Sequence, residues 1–186
     1  MKDLQTIVAE NPYVLIEPPD LLKLLTILQP LPVKRMLEIG TRQGFSFRAF
    51  VDAFNPEIAI TVDILKREEM PAPDVIPILT NPGVHYLWGY DSRQYSTLFK
   101  IKELLKGREL DFLFIDGSHM LEDVTKDWAT YSTLVRPGGI VALHDIIGLR
   151  EDMQVEPLFE QLIQIVPHHE IIKETLQSTG IGVLFL

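Results

Sequence analysis

The chain has 186 residues, 46% hydrophobic and 23% charged, with no cysteine and a formal net charge of −9. That size and balance suit a soluble globular protein with a sizeable core, and the missing cysteines exclude disulfides and thiolate metal sites. An acidic chain without a Lys/Arg cluster is poorly matched to a phosphate backbone, so no nucleic-acid partner is expected.

Residues 1–34 read as a helical cap punctuated by Pro12, Pro18, Pro19, Pro30 and Pro32, with Asp20 as the N-cap of a helix over 21–28. No basic stretch leading into a long apolar core opens the sequence, and the apolar run 21–28 is too short to span a bilayer. A cytoplasmic protein with no membrane partner is therefore expected. Val14, Leu15 and Ile16 suit a neighbouring subunit as well as the sheet, so a homo-oligomer is compatible with them.

From Val33 onward strand and helix signals alternate. Residues 36–39 form a short apolar strand that runs through Gly40-Thr-Arg-Gln-Gly44 into a helix over 45–54. A second strand over 58–62 ends at Asp63, followed by an irregular region holding Pro71, Pro73, Pro77 and Pro82. A third strand over 84–88 precedes a helix over 92–106 that stops at Gly107. The fourth strand covers 111–115, and the helix over 121–134 is terminated by Pro137-Gly-Gly139. The fifth strand covers 140–143, with a helix over 155–165 after it. Strands over 170–176 and 181–186 are joined only by Gln177-Ser-Thr-Gly180. So short a link requires an antiparallel pair. Continuous apolar strands between amphipathic helices predict a mainly parallel sheet covered on both faces, whose ligands bind outside the carboxyl ends of the strands.

A glycine turn at the first strand–helix junction lets a ligand lie against bare backbone. Asp63 ends the next strand, where a carboxylate can bind ribose hydroxyls. A dinucleotide fingerprint starting at Gly40 would need glycines where this chain has Arg42 and Phe45. Glu38, just before the turn, suits a cofactor carrying an α-ammonium and a sulfonium rather than a pyrophosphate. These residues favour S-adenosylmethionine over NAD.

The fourth strand ends in Asp116-Gly-Ser-His119 and the fifth in His144-Asp145. If the two strands are neighbours, their tips lie roughly 5 Å apart. Asp116 and Asp145 can then share a hard cation, with His144 a third ligand; such a set suits Mg²⁺ or Mn²⁺, the histidine favouring Mn²⁺ or another transition ion. His119 is placed to take a proton from a substrate hydroxyl. Singly, each group has a structural reading: Asp116-Gly-Ser as a turn and helix cap, His119 as a solvated loop residue, His144 as a core histidine bonded to a carbonyl. Their convergence on two strand tips favours a site. Asp91-Ser92 reads both as a helix cap and as a cofactor contact.

Leu37-Glu-Ile-Gly-Thr-Arg-Gln-Gly44, Gly89-Tyr-Asp-Ser92, Asp111-Phe-Leu-Phe-Ile-Asp-Gly-Ser-His119, Asp127-Trp128, Arg136-Pro-Gly-Gly139 and Leu143-His-Asp145 resemble a class I S-adenosylmethionine-dependent methyltransferase. More narrowly, they resemble the small-molecule O-methyltransferase branch that includes cephalosporin-hydroxylase-like and macrolide-sugar enzymes. The resemblance covers about residues 33–186. It implies an α/β, Rossmann-like seven-stranded sheet of order 3-2-1-4-5-7-6, strand 7 antiparallel, with helices on both faces. Residues 1–34 would be the helical cap and 35–186 the S-adenosylmethionine-binding methyltransferase domain. By motif position Glu38 and Gly40 hold the methionine part, with Thr41 and Gly44 in the same turn. Asp63 holds the ribose, and Asp91 and Ser92 lie near the adenine. Asp116, His144 and Asp145 match cation positions, Asp116 also bordering the cofactor and the chemistry, and His119 matches the general base. One departure is His144, where metal-using relatives often carry a carboxylate. The expected function is methyl transfer to a hydroxyl of a small-molecule acceptor, assisted by Mg²⁺ or Mn²⁺. The alternatives are a metal-independent N-, C- or protein methyltransferase, or a non-catalytic S-adenosylmethionine-binding module.

Overall fold

Strand β1 (Arg35–Ile39) is buried on both faces, which places it inside a sheet rather than at its edge. The computed structural model describes residues 3–12, 14–70, 73, 76–148 and 152–186; Pro71, assigned above to the irregular region, lies outside them. β1 pairs in parallel with β2 (Ile58–Asp63) on one side and β4 (Leu110–Ile115) on the other. β3 (Val84–Trp88) extends the β2 side, and β5 (Val135–His144) runs parallel to β4. β7 (Ile181–Phe185) and β6 (His169–Ile172) close that edge, β7 antiparallel to both its neighbours. The sheet order is β3-β2-β1-β4-β5-β7-β6, as the sequence led us to expect.

Alternate strand residues point to opposite faces, so two cores form. Met36, Phe112, Phe114 and Ala142 pack against helices α1 (Leu4–Ala9), α2 (Pro18–Leu28) and α3 (Phe45–Phe54). Leu37, Ile39, Leu113 and Leu143 pack against α4 (Tyr95–Leu105), α5 (Leu121–Tyr131) and α6 (Glu156–Leu162). Strand order reverses between β1 and β4, and a cavity opens above their carboxyl ends, where such sheets bind ligands. Among the described residues no helix is long and apolar enough to cross a membrane.

Several boundaries differ from the sequence reading for local reasons. α2 starts at Pro18, since proline is well accommodated in the first helical turn, so Asp20 is not its N-cap. Asp20 is buried in that turn and accepts hydrogen bonds from the Glu174 backbone N–H at 2.7 Å and from the Ser178 hydroxyl. α4 begins only at Tyr95, because residues 91–94 are spent on a turn in which the Gln94 N–H donates to the Asp91 carbonyl. The expected helix over 121–134 ends as α5 at Tyr131, and a 3-10 turn, Ser132–Leu134, leads straight into β5. Arg136-Pro-Gly-Gly139 therefore lies within β5, where a register shift between Leu110 and Phe112 marks a bulge.

Candidate active site

The turn after β1 holds Gly40 at φ +95°, Arg42 at +42° and Gly44 at +73°. A Cβ on Gly40 would sit 2.0 Å from the Asp116 carbonyl oxygen, so glycine is what lets the turn close onto the tip of β4. This turn, the tips of β2, β4 and β5, and the apolar segment 14–16 surround a cavity of about 950 Å³, large enough for a small-molecule ligand. Its wall brings together Gly40, Thr41, Gly44, Asp63, Asp91, Ser92, Asp116, His119, His144 and Asp145.

Glu38 stands behind that wall. It shares a face of the sheet with Thr61, its register partner, and accepts hydrogen bonds from the hydroxyls of Ser46 at 2.7 Å and Thr61 at 2.6 Å. Complete burial pushes its carboxyl up to about 8, against the opposing pull of Thr61 and Ser46. Asp63 faces the cavity and is steadied from both sides. Its Oδ2 accepts from the Arg42 N–H at 2.7 Å and its Oδ1 from the Leu65 N–H at 2.8 Å. A carboxylate has further lone pairs, so hydroxyls can still donate to it.

Beside the tip of β3, Arg93 ties two acids together. It donates to Asp91 Oδ1 at 2.8 Å, to Asp91 Oδ2 at 3.0 Å and to Asp123 Oδ1 at 2.6 Å, while the Ser118 hydroxyl donates to Asp123 Oδ2 at 2.9 Å. The Arg93 bonds hold both carboxyls below the usual range. The buried Asp127 of α5 also reaches the wall, and its Oδ1 has no hydrogen-bond partner. Burial pushes this carboxyl up to about 6, partly offset by the Ser92 hydroxyl.

β4 and β5 are neighbours, with Ile115 opposite Leu143, so Asp116 and His144 emerge side by side. His144 Nδ1 lies 3.0 Å from Asp116 Oδ1 and 3.5 Å from Asp145 Oδ1. His119 Nε2 lies 2.8 Å from Asp145 Oδ2. Asp145 adopts φ +60°, a conformation uncommon outside glycine, and aspartate is among the side chains that tolerate it best. Burial pulls the His144 imidazole down, but Asp116 and Asp145 beside it prevail and push it up to about 9. The hydrogen bond that His119 donates to Asp145 raises the imidazole more than its burial lowers it. Burial favours the neutral Asp145, yet His119 and His144 hold its carboxyl below the usual range. Ligating atoms of Asp116, His144 and Asp145 lie within 4.8 Å of one another, and two carboxylates with one imidazole fit a hard or borderline divalent cation.

Sequence reasoning missed Thr179, which lies 3.5 Å from His144 Nε2, and the Arg93–Asp123 pair. Both are long-range meetings without a local pattern. It also passed over Asp127 as a site residue, though the spacing of Val124, Asp127 and Tyr131 puts that acid on the buried stripe of α5.

The fold is similar to that of the MycE methyltransferase from the mycinamycin biosynthetic pathway, solved with Mg, SAH and mycinamycin VI. The match has 19% identity and a TM-score of 0.65, covering 99% of this chain and 54% of that one. This chain thus spans about half the length of that protein. It is similar over 100% of its length to the O-methyltransferase TomG from Streptomyces achromogenes, involved in tomaymycin synthesis and solved with SAM; that match has 15% identity, a TM-score of 0.68 and covers 90% of TomG. It is also similar over its full length to an O-methyltransferase from Bacillus cereus in complex with SAH, at 20% identity and a TM-score of 0.63, covering 92% of that chain. No curated protein matches by sequence. A family model described as "Methyltransferase domain" matches residues 37–146, the span that holds the glycine turn, Asp63, Asp116, His119, His144 and Asp145.

Proposed function

This chain belongs to the methyltransferase-domain family, and from that premise we propose that it transfers the methyl group of S-adenosylmethionine to a hydroxyl of a small molecule. One observation carries the reading. The glycine turn and Asp63, suited to the cofactor, share a cavity wall with the His119–Asp145 pair, suited to removing a proton. The neighbours solved with SAM or SAH support the cofactor, and MycE, solved with Mg as well, supports a cation.

Residues 35–186 form the cofactor-binding domain in this reading, with 1–34 as its helical cap. Gly40, Thr41 and Gly44 receive the methionine part, Asp63 the ribose, and Asp91 and Ser92 border the base. Glu38 supports the turn from behind by fixing Ser46 of α3 to β1. Asp116, His144 and Asp145 would hold Mg²⁺ or Mn²⁺, which lowers the pKa of a hydroxyl beside it.

The sulfonium of S-adenosylmethionine is already a strong electrophile, so the protein has two tasks. It must align the acceptor oxygen behind the methyl group, worth on the order of 7–11 kcal/mol at best. It must also accept that oxygen's proton. His119 Nε2 is engaged by Asp145, leaving Nδ1 to take the proton. The carbon–oxygen bond then forms as the carbon–sulfur bond breaks, the sulfur keeping the electron pair. Asp145 orients the imidazole and steadies the charge it gains.

A metal-independent transfer has one observation in its favour: His144 Nδ1 already lies between Asp116 Oδ1 and Asp145 Oδ1, spanning the carboxylates as a cation would. Calorimetric titration with S-adenosylhomocysteine, with and without Mg²⁺ or Mn²⁺ and with NAD as control, tests the proposal. Binding of S-adenosylhomocysteine but not NAD is expected. A metal-dependent heat supports the assisted route, and activity indifferent to chelators supports the metal-independent one. Failure to bind S-adenosylhomocysteine overturns both.

A further inference from the structure

We infer that Asp127 selects adenine as the cofactor's base, its carboxyl group accepting a hydrogen bond from the exocyclic amino group. This rests on the S-adenosylmethionine reading and extends it to a residue that reading does not use. With the methyl end at His119 and the ribose at Asp63, the base is left the part of the cavity bounded by residues 90–93 and Asp127.

An amino group arriving there needs an acceptor; every oxygen of Asp91 and Asp123 already accepts a protein donor, whereas one oxygen of the buried Asp127 accepts none. Both Asp91 oxygens accept from Arg93, and the Asp123 oxygens accept from Arg93 and Ser118. Asp127 is 2% exposed, yet its Oδ1 accepts nothing. An unpaired buried carboxyl oxygen is costly unless something that binds there supplies the missing donor.

The surroundings hold Asp127 in place, and the Ser92 hydroxyl satisfies its carboxyl only in part, leaving Oδ1 without a donor. Its α5 neighbours Val124 and Tyr131 are buried in the core, and the Tyr131 hydroxyl donates to the Ser92 carbonyl, pinning the helix to the turn at the cavity's edge. Gly117 crowds the carboxyl group little: an added Cβ would meet Ile39 first and stay 3.8 Å from Asp127 Oδ2. Rotation about χ2 of aspartate is soft, so either oxygen can turn toward the base. With the carboxyl pushed up only to about 6, the ionised acceptor form prevails at neutral pH. Hypoxanthine carries a carbonyl in place of the amino group and would set oxygen against oxygen. A site built around a hydrogen-bond donor rejects a ligand that lacks it, because its own buried group stays unpaired.

The test is calorimetric titration of the wild type, Asp127→Asn and Asp127→Ala with S-adenosylhomocysteine and with its deaminated analogue, S-inosylhomocysteine. The wild type should prefer the adenine form by at least ~10-fold. Asp127→Asn, whose amide both donates and accepts, should narrow that gap to about 3-fold or less. Asp127→Ala should weaken the adenine form and leave the inosine form nearly unchanged. A preference in Asp127→Asn equal to that of the wild type overturns the inference. So does equal wild-type affinity for the two ligands, a result that stands even where a variant does not fold. Binding of neither ligand by the wild type removes the cofactor reading and this inference with it, whereas binding of both alike removes this inference alone.

Discussion

Two buried aspartates at opposite ends of the sheet show what each end is built for. Asp111, at the amino end of β4, and Asp127, on α5 beside the carboxyl ends, are each 2% exposed. Asp111 is saturated. Its Oδ2 accepts from the backbone N–H groups of Lys34 at 3.0 Å and Arg35 at 2.9 Å, and its Oδ1 from the side chains of Arg35 at 3.2 Å and Arg136 at 2.7 Å. Burial would raise its carboxyl, but the arginines hold it below the usual range. Asp127 keeps an unpartnered oxygen and is pushed up to about 6. Equal burial with opposite partnering separates an end that clamps β1, β4 and β5 together from an end that leaves one buried carboxyl oxygen open at the cavity wall.

Variants at the two ends should separate stability from function. The largest effect belongs to the open end: His119→Ala should lower methyl transfer to an accepted hydroxyl by about 10²–10⁴-fold in single-turnover assays. Its affinity for S-adenosylhomocysteine should be little changed, and equal loss of both would count against a base at this position. At the closed end, Asp111→Ala leaves two arginines and two backbone donors without their partner. It should cost about 3 kcal/mol in denaturant unfolding, toward the low end for breaking a buried pair because Arg35 and Arg136 are 22% and 26% exposed. Cofactor affinity of the folded protein should not move, and a large change there would erase the distinction. Asp63→Ala should weaken S-adenosylhomocysteine roughly 10-fold, in keeping with the loss of a charge-assisted hydrogen bond; unchanged affinity refutes the ribose assignment.

The smallest effect concerns Glu38, which is buried like Asp111 but lies at the carboxyl end of its strand. Its folded pKa of about 8 stands above the ordinary 4.5, so between those values the native state keeps a proton that the unfolded chain has lost. The stability it contributes is full below pH 4.5 and is lost as pH rises through about 8. Melting curves from pH 5 to 9 should show the wild type falling relative to Glu38→Gln, which cannot ionise. Parallel curves would mean that Glu38 does not titrate in this window.

What the sequence made legible was local. Apolar runs marked the strands, and the functional groups at their ends followed from the rule that ligands bind at carboxyl termini: Asp63, Asp116, His119, His144 and Asp145 all line one cavity. What it hid was contact across distance. Asp20 carries the usual cap signal before an apolar run, but Pro18 and Pro19 begin the helix earlier and its carboxylate serves Glu174 and Ser178 near the other end of the chain. Thr179 reaches His144 from the turn before β7, and no periodicity announces that meeting. The orientation of Glu38 was available in principle. Alternation along β1 sets Met36 with Glu38 and Leu37 with Ile39, and only the three-dimensional register names Thr61 as its partner.

The insertion of β7 between β5 and β6 also fixes when the outer edge of β5 is covered. During synthesis, β5 emerges with β4 available to pair and its other edge bare until Ile181–Phe185 is made. At roughly 5–20 residues per second that interval lasts a few seconds, during which the apolar run Ile140-Val-Ala-Leu143 is an open template for another nascent chain. The arrival of β7 closes that edge, brings Ile181 opposite His144 and seats Thr179 beside it. The strand that covers the bare edge of β5 is thus also the one that brings Thr179 beside His144.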